Sequence, residues 1–147
     1  MHQTSVTTIL IGTNTASRRW VKYEIIKSFE RGNGILAIHL NRIRDKFQNT
    51  SSKWLNPLDR LGFQISDDGK KIRFYELVNG KWKLFTDLPE INNKKSNTLY
   101  FKDGWFSNDF GCFFKLSEKF NTYCWKIDDG HKQFTDWIED AADQAGR

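Results

Sequence analysis

The sequence is poor in the residues that most directly announce chemistry. Its 147 residues include two cysteines, Cys112 and Cys124, which have neither metal-ligand spacing nor paired histidines nearby, so a zinc module is excluded. Each stands among aromatics (Gly111-Cys112-Phe113 and Tyr123-Cys124-Trp125). A thiol in such surroundings behaves as a small core residue, and nothing requires a disulfide. There is no long apolar run either. The first five residues are polar, and the hydrophobic stretch after them is far too short to span a bilayer. No signal peptide is expected, and the cytoplasm is the default location. A nucleophilic triad, a phosphate-binding glycine loop, internal repeats and low-complexity tracts are all missing. So is a block of one charge sign. The net charge is +5, yet the basic residues are scattered as Arg18, Arg19 and Lys22, then Lys70, Lys71 and Arg73, then Lys94 and Lys95. That is the pattern of a solvated surface more than of a nucleic-acid interface.

What is present is a globular composition with an aromatic surplus. Hydrophobic residues make up 38% and charged residues 28%, and 12 Phe, 6 Trp and 4 Tyr supply much apolar area to a chain of single-domain size. Val6 to Ile11 is a short β-branched run ending at Gly12, a buried strand by its pattern. Thr13 to Ser17 offers helix N-caps before the run Arg18 to Arg31, in which Val21, Ile25 and Phe29 recur on one face. Gly32 and Gly34 stop that helix, and Ile35 to Leu40 reads as a second buried strand. Strand, helix, glycine stop and strand make a βαβ unit with parallel strands.

The middle of the chain changes character. Asn41 to Lys53 reads as loop, and a turn or short helix is expected around Pro57. Strands are expected over 62–66, 71–77 and 81–85, with Asn79-Gly80 as the turn of an antiparallel hairpin outside the main sheet. Residues 88–98 read as loop. The α/β pattern then returns: a short helix within 113–120, a buried strand over 122–127, and a closing helix over 131–145 with Phe134, Trp137, Ile138 and Ala141 on one face.

The constellation with chemical promise is Ser17-Arg18-Arg19-Trp20-Val21-Lys22-Tyr23-Glu24. Trp20 and Glu24 are four apart and share a helix face beside the apolar stripe. They stand near the N-terminal end of a helix that follows a strand, hence near the crevice where open α/β sheets bind ligands. A carboxylate beside an aromatic ring can hold a sugar hydroxyl and stabilise a positive charge developing on a ribose. Against this stands the plain reading of a solvated helix glutamate paired with Ser28 or a nearby base. Arg18 and Arg19 near a helix N-terminus oppose its dipole, which makes phosphate binding an option beside simple solvation. His39, inside a buried strand, reads as a hydrogen-bonded core residue.

The stretch from Thr8 to Ile25, continuing to Glu30-Arg31-Gly32-Asn33-Gly34, resembles the TIR-like (Toll/interleukin-1 receptor-like) domains of the Thoeris antiphage proteins of the ThsB type. Phe74-Tyr75-Glu76, Asp87-Leu88-Pro89 and Trp137-Ile138-Glu139-Asp140-Ala141-Ala142 resemble the second half of that family. The resemblance covers nearly the whole chain, so a single domain over 1–147 is expected, with an insertion at about 55–100. It implies a three-layer α/β fold of the TIR/flavodoxin-like kind with a parallel sheet and an antiparallel hairpin. In TIR enzymes the glutamate of Trp-x-x-x-Glu cleaves NAD+; that position is Glu24, with Trp20, Gly12, Arg18 and Arg19 as candidate nucleotide-binding residues. NAD+ would enter as substrate, with no tightly bound cofactor. Implied partners are a second TIR-like chain or a phage-derived trigger, and neither a membrane nor nucleic acid. The chain departs from the family at its start, which resembles the third strand. The expectation is therefore a shortened domain whose strand 6–11 shows an apolar edge and whose nucleotide pocket lacks a wall, favouring a dimer, a partner or a start further upstream. Three function classes follow: an NAD+-cleaving or cyclising enzyme, a non-catalytic TIR-like assembly module, and a basic nucleic-acid binder with only net charge behind it.

Overall fold

The computed structural model describes residues 6–12, 14–40, 55–92, 111–125 and 127–144. Strand β1 (Val6–Ile11) runs parallel to β2 (Gly34–His39), with Val6 opposite Gly34 and Ile11 opposite His39. Helix α1 (Arg19–Glu30) connects them. The expected N-caps serve a different purpose. Thr15–Ser17 forms a tight 3-10 turn in which the Thr15 hydroxyl accepts from the Gly12 N–H at 2.7 Å. The Ser17 hydroxyl donates to the Asn14 carbonyl, so the N-cap position of α1 falls to Arg18, whose side chain makes no capping bond. The glycine stop is as read: Gly32 adopts φ 75°, a conformation only glycine takes at little cost.

Strand β8 (Asn121–Cys124) pairs parallel with the other edge of β2, giving the sheet order β1-β2-β8. Every residue of β2 is buried, as a central strand covered on both faces must be. Its odd and even positions serve different cores. Ile35 and Ala37 join Ile9, Ile11 and the α1 residues Ile25, Ile26 and Phe29. Leu36 and Ile38 join Trp137 and Ala141 of the closing helix α2 (Gly130–Gln144). Tyr123 stacks on Trp137 at 4.2 Å between ring centres. The last turn of α2 lies so close to Gly34 that a Cβ there would stand 2.5 Å from the Ala141 carbonyl oxygen, so a side chain at this position would push the helix off the sheet.

The region read as a hairpin is larger. Strands β3 (Leu61–Ile65), β4 (Lys71–Val78), β5 (Lys81–Leu84), β6 (Ile91–Asn92) and β7 (Phe113–Lys115) form an antiparallel sheet in the order β5-β4-β3-β7, with β6 beside β4. The Asn79-Gly80 turn is present, both residues at positive φ. The short helix expected within 113–120 is a single 3-10 turn at Leu116–Glu118, and strand β7 precedes it, with Phe114 facing the shared core while its neighbours face out. The sheet thus draws a strand from beyond residue 100. Cys112 is exposed and Cys124 half-buried, so Cys112 is not the core residue expected. The loop expected at 41–53 lies outside the described residues, as do residues 93–98 of the loop expected over 88–98, whose described part is not all loop because Ile91–Asn92 pairs with β4 as β6. Among the described residues no helix is long and apolar enough to cross a membrane.

Phe29 is where the two sheets meet. Its ring lies 5.1 Å from Phe63, 5.4 Å from Phe74 and 6.1 Å from Phe120. One face of the parallel sheet is therefore covered by α1 and the antiparallel sheet together, and the other by α2.

Candidate functional site

The carboxyl ends of β1, β2 and β8 open onto two cavities, the place where an open α/β sheet offers its loops to a ligand. The smaller, about 440 Å³, lies at the end of β1 between Leu10, Gly12, Thr15, Arg18, Trp20 and Leu40. Three candidate residues of the sequence thus share one cavity: Gly12, Arg18 and Trp20. The wider one, about 780 Å³, lies at the ends of β2 and β8, with His39, Asp59, Asp128 and Tyr123 among its lining. Among the described residues the two differ in charge: Asp59 and Asp128 and no Lys or Arg line the wider cavity, whereas Arg18 lines the smaller one. Of the two linings as described, that of the smaller cavity has the charge that suits a pyrophosphate group.

Helix α1 fixes the orientation of the face that carries the candidate residues Trp20 and Glu24. Ile25, Ile26 and Phe29 hold its inner face in the core, which forces Trp20 and Glu24 outward. Trp20 is 64% exposed, and its indole stands over the smaller cavity with no core to bury it. Glu24 is exposed as well, one turn or ~6 Å further along the same face. It does not line the cavity. Ser28 is not its partner, since the Ser28 hydroxyl is buried and accepts from Thr7 at 2.8 Å. Among the described residues, no ion pair or hydrogen bond engages the Glu24 carboxylate. A carboxylate so placed is free to face a ligand that leaves the cavity along the helix.

Arg19 was expected beside Arg18, and the structure sends it the other way. Its Nη1 donates to both oxygens of Glu76 at 2.9 and 3.2 Å. Its Nε and Nη2 grip Asp87 at 2.6 and 2.9 Å, and the guanidinium lies 4.8 Å above the Phe85 ring. The physical reason is the helical period: one residue turns the side chain about 100°, so Arg18 and Arg19 cannot share a face. These two carboxylates hold the Arg19 guanidinium protonated well above its ordinary range, the Asp87 bond first. The same bond holds the Asp87 carboxyl below its ordinary value. Lys22 completes the cluster. It is buried and its Nζ donates to Glu76 at 3.1 Å, with Glu76 itself buried. Sequence reasoning missed this lock between α1 and β4. The signal was there: Ile72, Phe74 and Glu76 alternate on the inward face of β4, and a carboxylate at an inward position requires a buried cation.

A parallel sheet covered on both faces, a crevice at its carboxyl ends and a second, antiparallel sheet define an α/β fold of mixed-sheet type. Residues 1–45 match the family described as Thoeris protein ThsB, TIR-like domain. Over 140 residues the chain is 42% identical to a protein of Bacillus cereus (strain MSX-D12) named "Putative cyclic ADP-D-ribose synthase ThsB1", the match covering 94% of this chain and 68% of that relative. The chain therefore belongs to the ThsB-type TIR-like proteins of the Thoeris system.

Proposed function

We propose that this protein acts in Thoeris antiphage defence by breaking the glycosidic bond between nicotinamide and ribose in NAD+, releasing an ADP-ribose-type signal. The observation that carries the reading is the outward face of α1, which sets Trp20 over a cavity that also holds Arg18 and Gly12 and leaves the Glu24 carboxylate exposed one turn away. The name of the Bacillus cereus relative, a cyclic ADP-D-ribose synthase, supports the same chemistry.

The roles follow from charge. Arg18 pairs with the pyrophosphate, and the backbone at Gly12 admits its close approach. Trp20 offers its ring to a base or to the nicotinamide. Bond cleavage sends the bonding electrons to the nicotinamide nitrogen, which leaves neutral, and positive charge develops on the ribose. Glu24 faces that charge and stabilises it. Attack on the ribose carbon by water gives ADP-ribose, and attack by a nitrogen of the molecule's own adenine gives a cyclic product. Arg19 acts at a distance in this account, fixing the first turn of α1 through Glu76 and Asp87.

The experiment is nicotinamide release from NAD+ by purified protein at high concentration, with the ribosyl product identified by mass. Release with a linear or cyclic ADP-ribose product is expected. A folded protein that neither binds NAD+ nor releases nicotinamide would favour a non-catalytic assembly module. That second reading has an observation of its own: among the described residues β1 pairs only with β2, and Leu10 on this outer strand is 55% exposed.

A further inference from the structure

The antiparallel sheet has two faces, and only one is needed to hold the fold. Leu61, Phe63, Ile65, Ile72 and Phe74 point into the shared core. The alternate positions point away from it. On that outer face β4 carries Lys71, Arg73 and Tyr75, β5 carries Trp82 and Leu84, and β7 carries Phe113 and Lys115.

The three aromatic residues on this face form one group. Trp82 and Phe113 lie 5.0 Å apart between ring centres, and Tyr75 and Phe113 lie 5.7 Å apart, both edge-to-face. The Phe113 ring rests on Gly62, whose missing side chain makes room for it. Phe113 is 37% exposed and Leu84 52% exposed, so the group is a surface and not a second core. Gln64 steadies it by accepting from the Tyr75 hydroxyl at 3.2 Å.

At the described strand positions the charge on this face is of one sign, while Asp67 and Asp68 of the turn between β3 and β4 line a cavity beside Gln64, Lys71 and Arg73. Lys71, Arg73 and Lys115 are exposed, and no Asp or Glu occupies a described strand position pointing outward. The nearest carboxylate in the ion-pair network is Glu90, which holds Arg73 from the flank at 2.8 Å. Rings interleaved with cations suit a partner that is both polyanionic and rich in flat π-faces. Single-stranded nucleic acid is that partner: its bases stack on aromatic side chains while its phosphates meet the cations.

We propose that the outer face of the antiparallel sheet binds single-stranded nucleic acid, with Trp82 and Phe113 as the stacking residues and Lys71, Arg73 and Lys115 along the phosphate path. The chain-wide scatter of basic residues hides this arrangement in the sequence. Residues 71–75, 82–84 and 113–115 become one surface only when β4 pairs with β5 and β3 carries β7. The site lies on a different layer from the Trp20 cavity and does not depend on NAD+ chemistry.

The test is fluorescence anisotropy of a labelled short oligothymidylate titrated with the whole protein at low salt, with duplex DNA and heparin as competitors. Binding is expected, weakened about tenfold or more by Trp82→Ala, since stacking on one ring contributes that much. Lys115→Gln is expected to lower the slope of log affinity against log salt by ~0.7, one phosphate contact. Both changes are at the surface, and far-ultraviolet dichroism confirms that the variants fold. Absence of binding would overturn the proposal. So would binding that Trp82→Ala leaves unchanged and heparin displaces as well as the oligonucleotide, the signature of charge alone. Self-association of the protein that Trp82→Ala abolishes, without oligonucleotide binding, would overturn it in favour of a protein contact.

Discussion

The parallel and the antiparallel sheet are built by opposite rules, and the contrast explains how this chain divides its labour. The strands of the parallel sheet lie between α2 on one face and α1 with the second sheet on the other. Its central strand is apolar at both odd and even positions and ends in crevices. The antiparallel sheet buries one face, exposes the other, and sends a charged residue inward at Glu76. The first layer opens cavities at the carboxyl ends of its strands. The second acts as a brace: through Glu76 and Asp87 it grips the first turn of α1, the helix that carries Trp20 and Glu24. Immobility of a catalytic face comes from its supporting elements as much as from its own.

The strongest test of that division is to remove what the two layers share. Phe29→Ala takes away the ring between Phe63, Phe74 and Phe120, and a loss of about 3–5 kcal/mol is expected. Denaturant unfolding followed by dichroism and by tryptophan fluorescence measures it. A loss below ~1 kcal/mol would mean that the sheets do not depend on one core.

Breaking the brace comes next. Glu76→Gln leaves the Lys22 ammonium buried without its counter-charge, at a cost of about 3 kcal/mol. Replacing both partners together, Lys22→Met with Glu76→Leu, is expected to recover most of that stability. Its NAD+ turnover should stay below wild type, because Arg19 then holds α1 through Asp87 alone. Full turnover in the double variant would show that the brace does not position the site.

A substitution confined to the parallel layer sharpens the contrast from the other side. Gly34→Ala sets a methyl against the backbone of Ala141, and a cost of about 1–3 kcal/mol is expected from the displaced helix. It should loosen α2 and leave the Arg19 cluster intact, as hydrogen exchange of the α2 amides against those of α1 would report.

The smallest effect is electrostatic. Arg19 depresses the Asp87 carboxyl, so this pair adds stability above the ordinary carboxylate value of ~3.9 and loses it as pH falls through the depressed value. Arg19 is charged throughout. Asp87→Asn is therefore expected to flatten the acid limb of a stability-against-pH curve and to leave the alkaline limb alone. An unchanged acid limb would contradict the pairing.

How much of this was legible in the sequence follows the same contrast. The βαβ unit, α2 and the Asn79-Gly80 turn could be read because their signals are local: a run of β-branched residues, a helical period, a dipeptide. β7 could not, since Phe113-Phe114-Lys115 is too short to show a period and becomes a strand only by pairing with β3. Thr15 and Ser17 looked like helix caps and instead bond Gly12 and Asn14, a choice made by the turn and not by residue type. At the site, the proximity of Trp20, Arg18 and Gly12 follows from the strand-turn-helix order. The separation of Arg18 from Arg19 needed only the helical angle, whereas the partners of Arg19 come from residues 57 and 68 positions away.

The central claim is that Glu24 does chemistry, not that it supports the fold. The measurement that tests it most directly is NAD+ consumption by wild type and by Glu24→Gln side by side, with thermal melts of both. The account predicts loss of consumption in the variant with stability unchanged within about 0.5 kcal/mol, as for an exposed residue. Equal consumption by the two proteins, or unfolding of the variant, would contradict it.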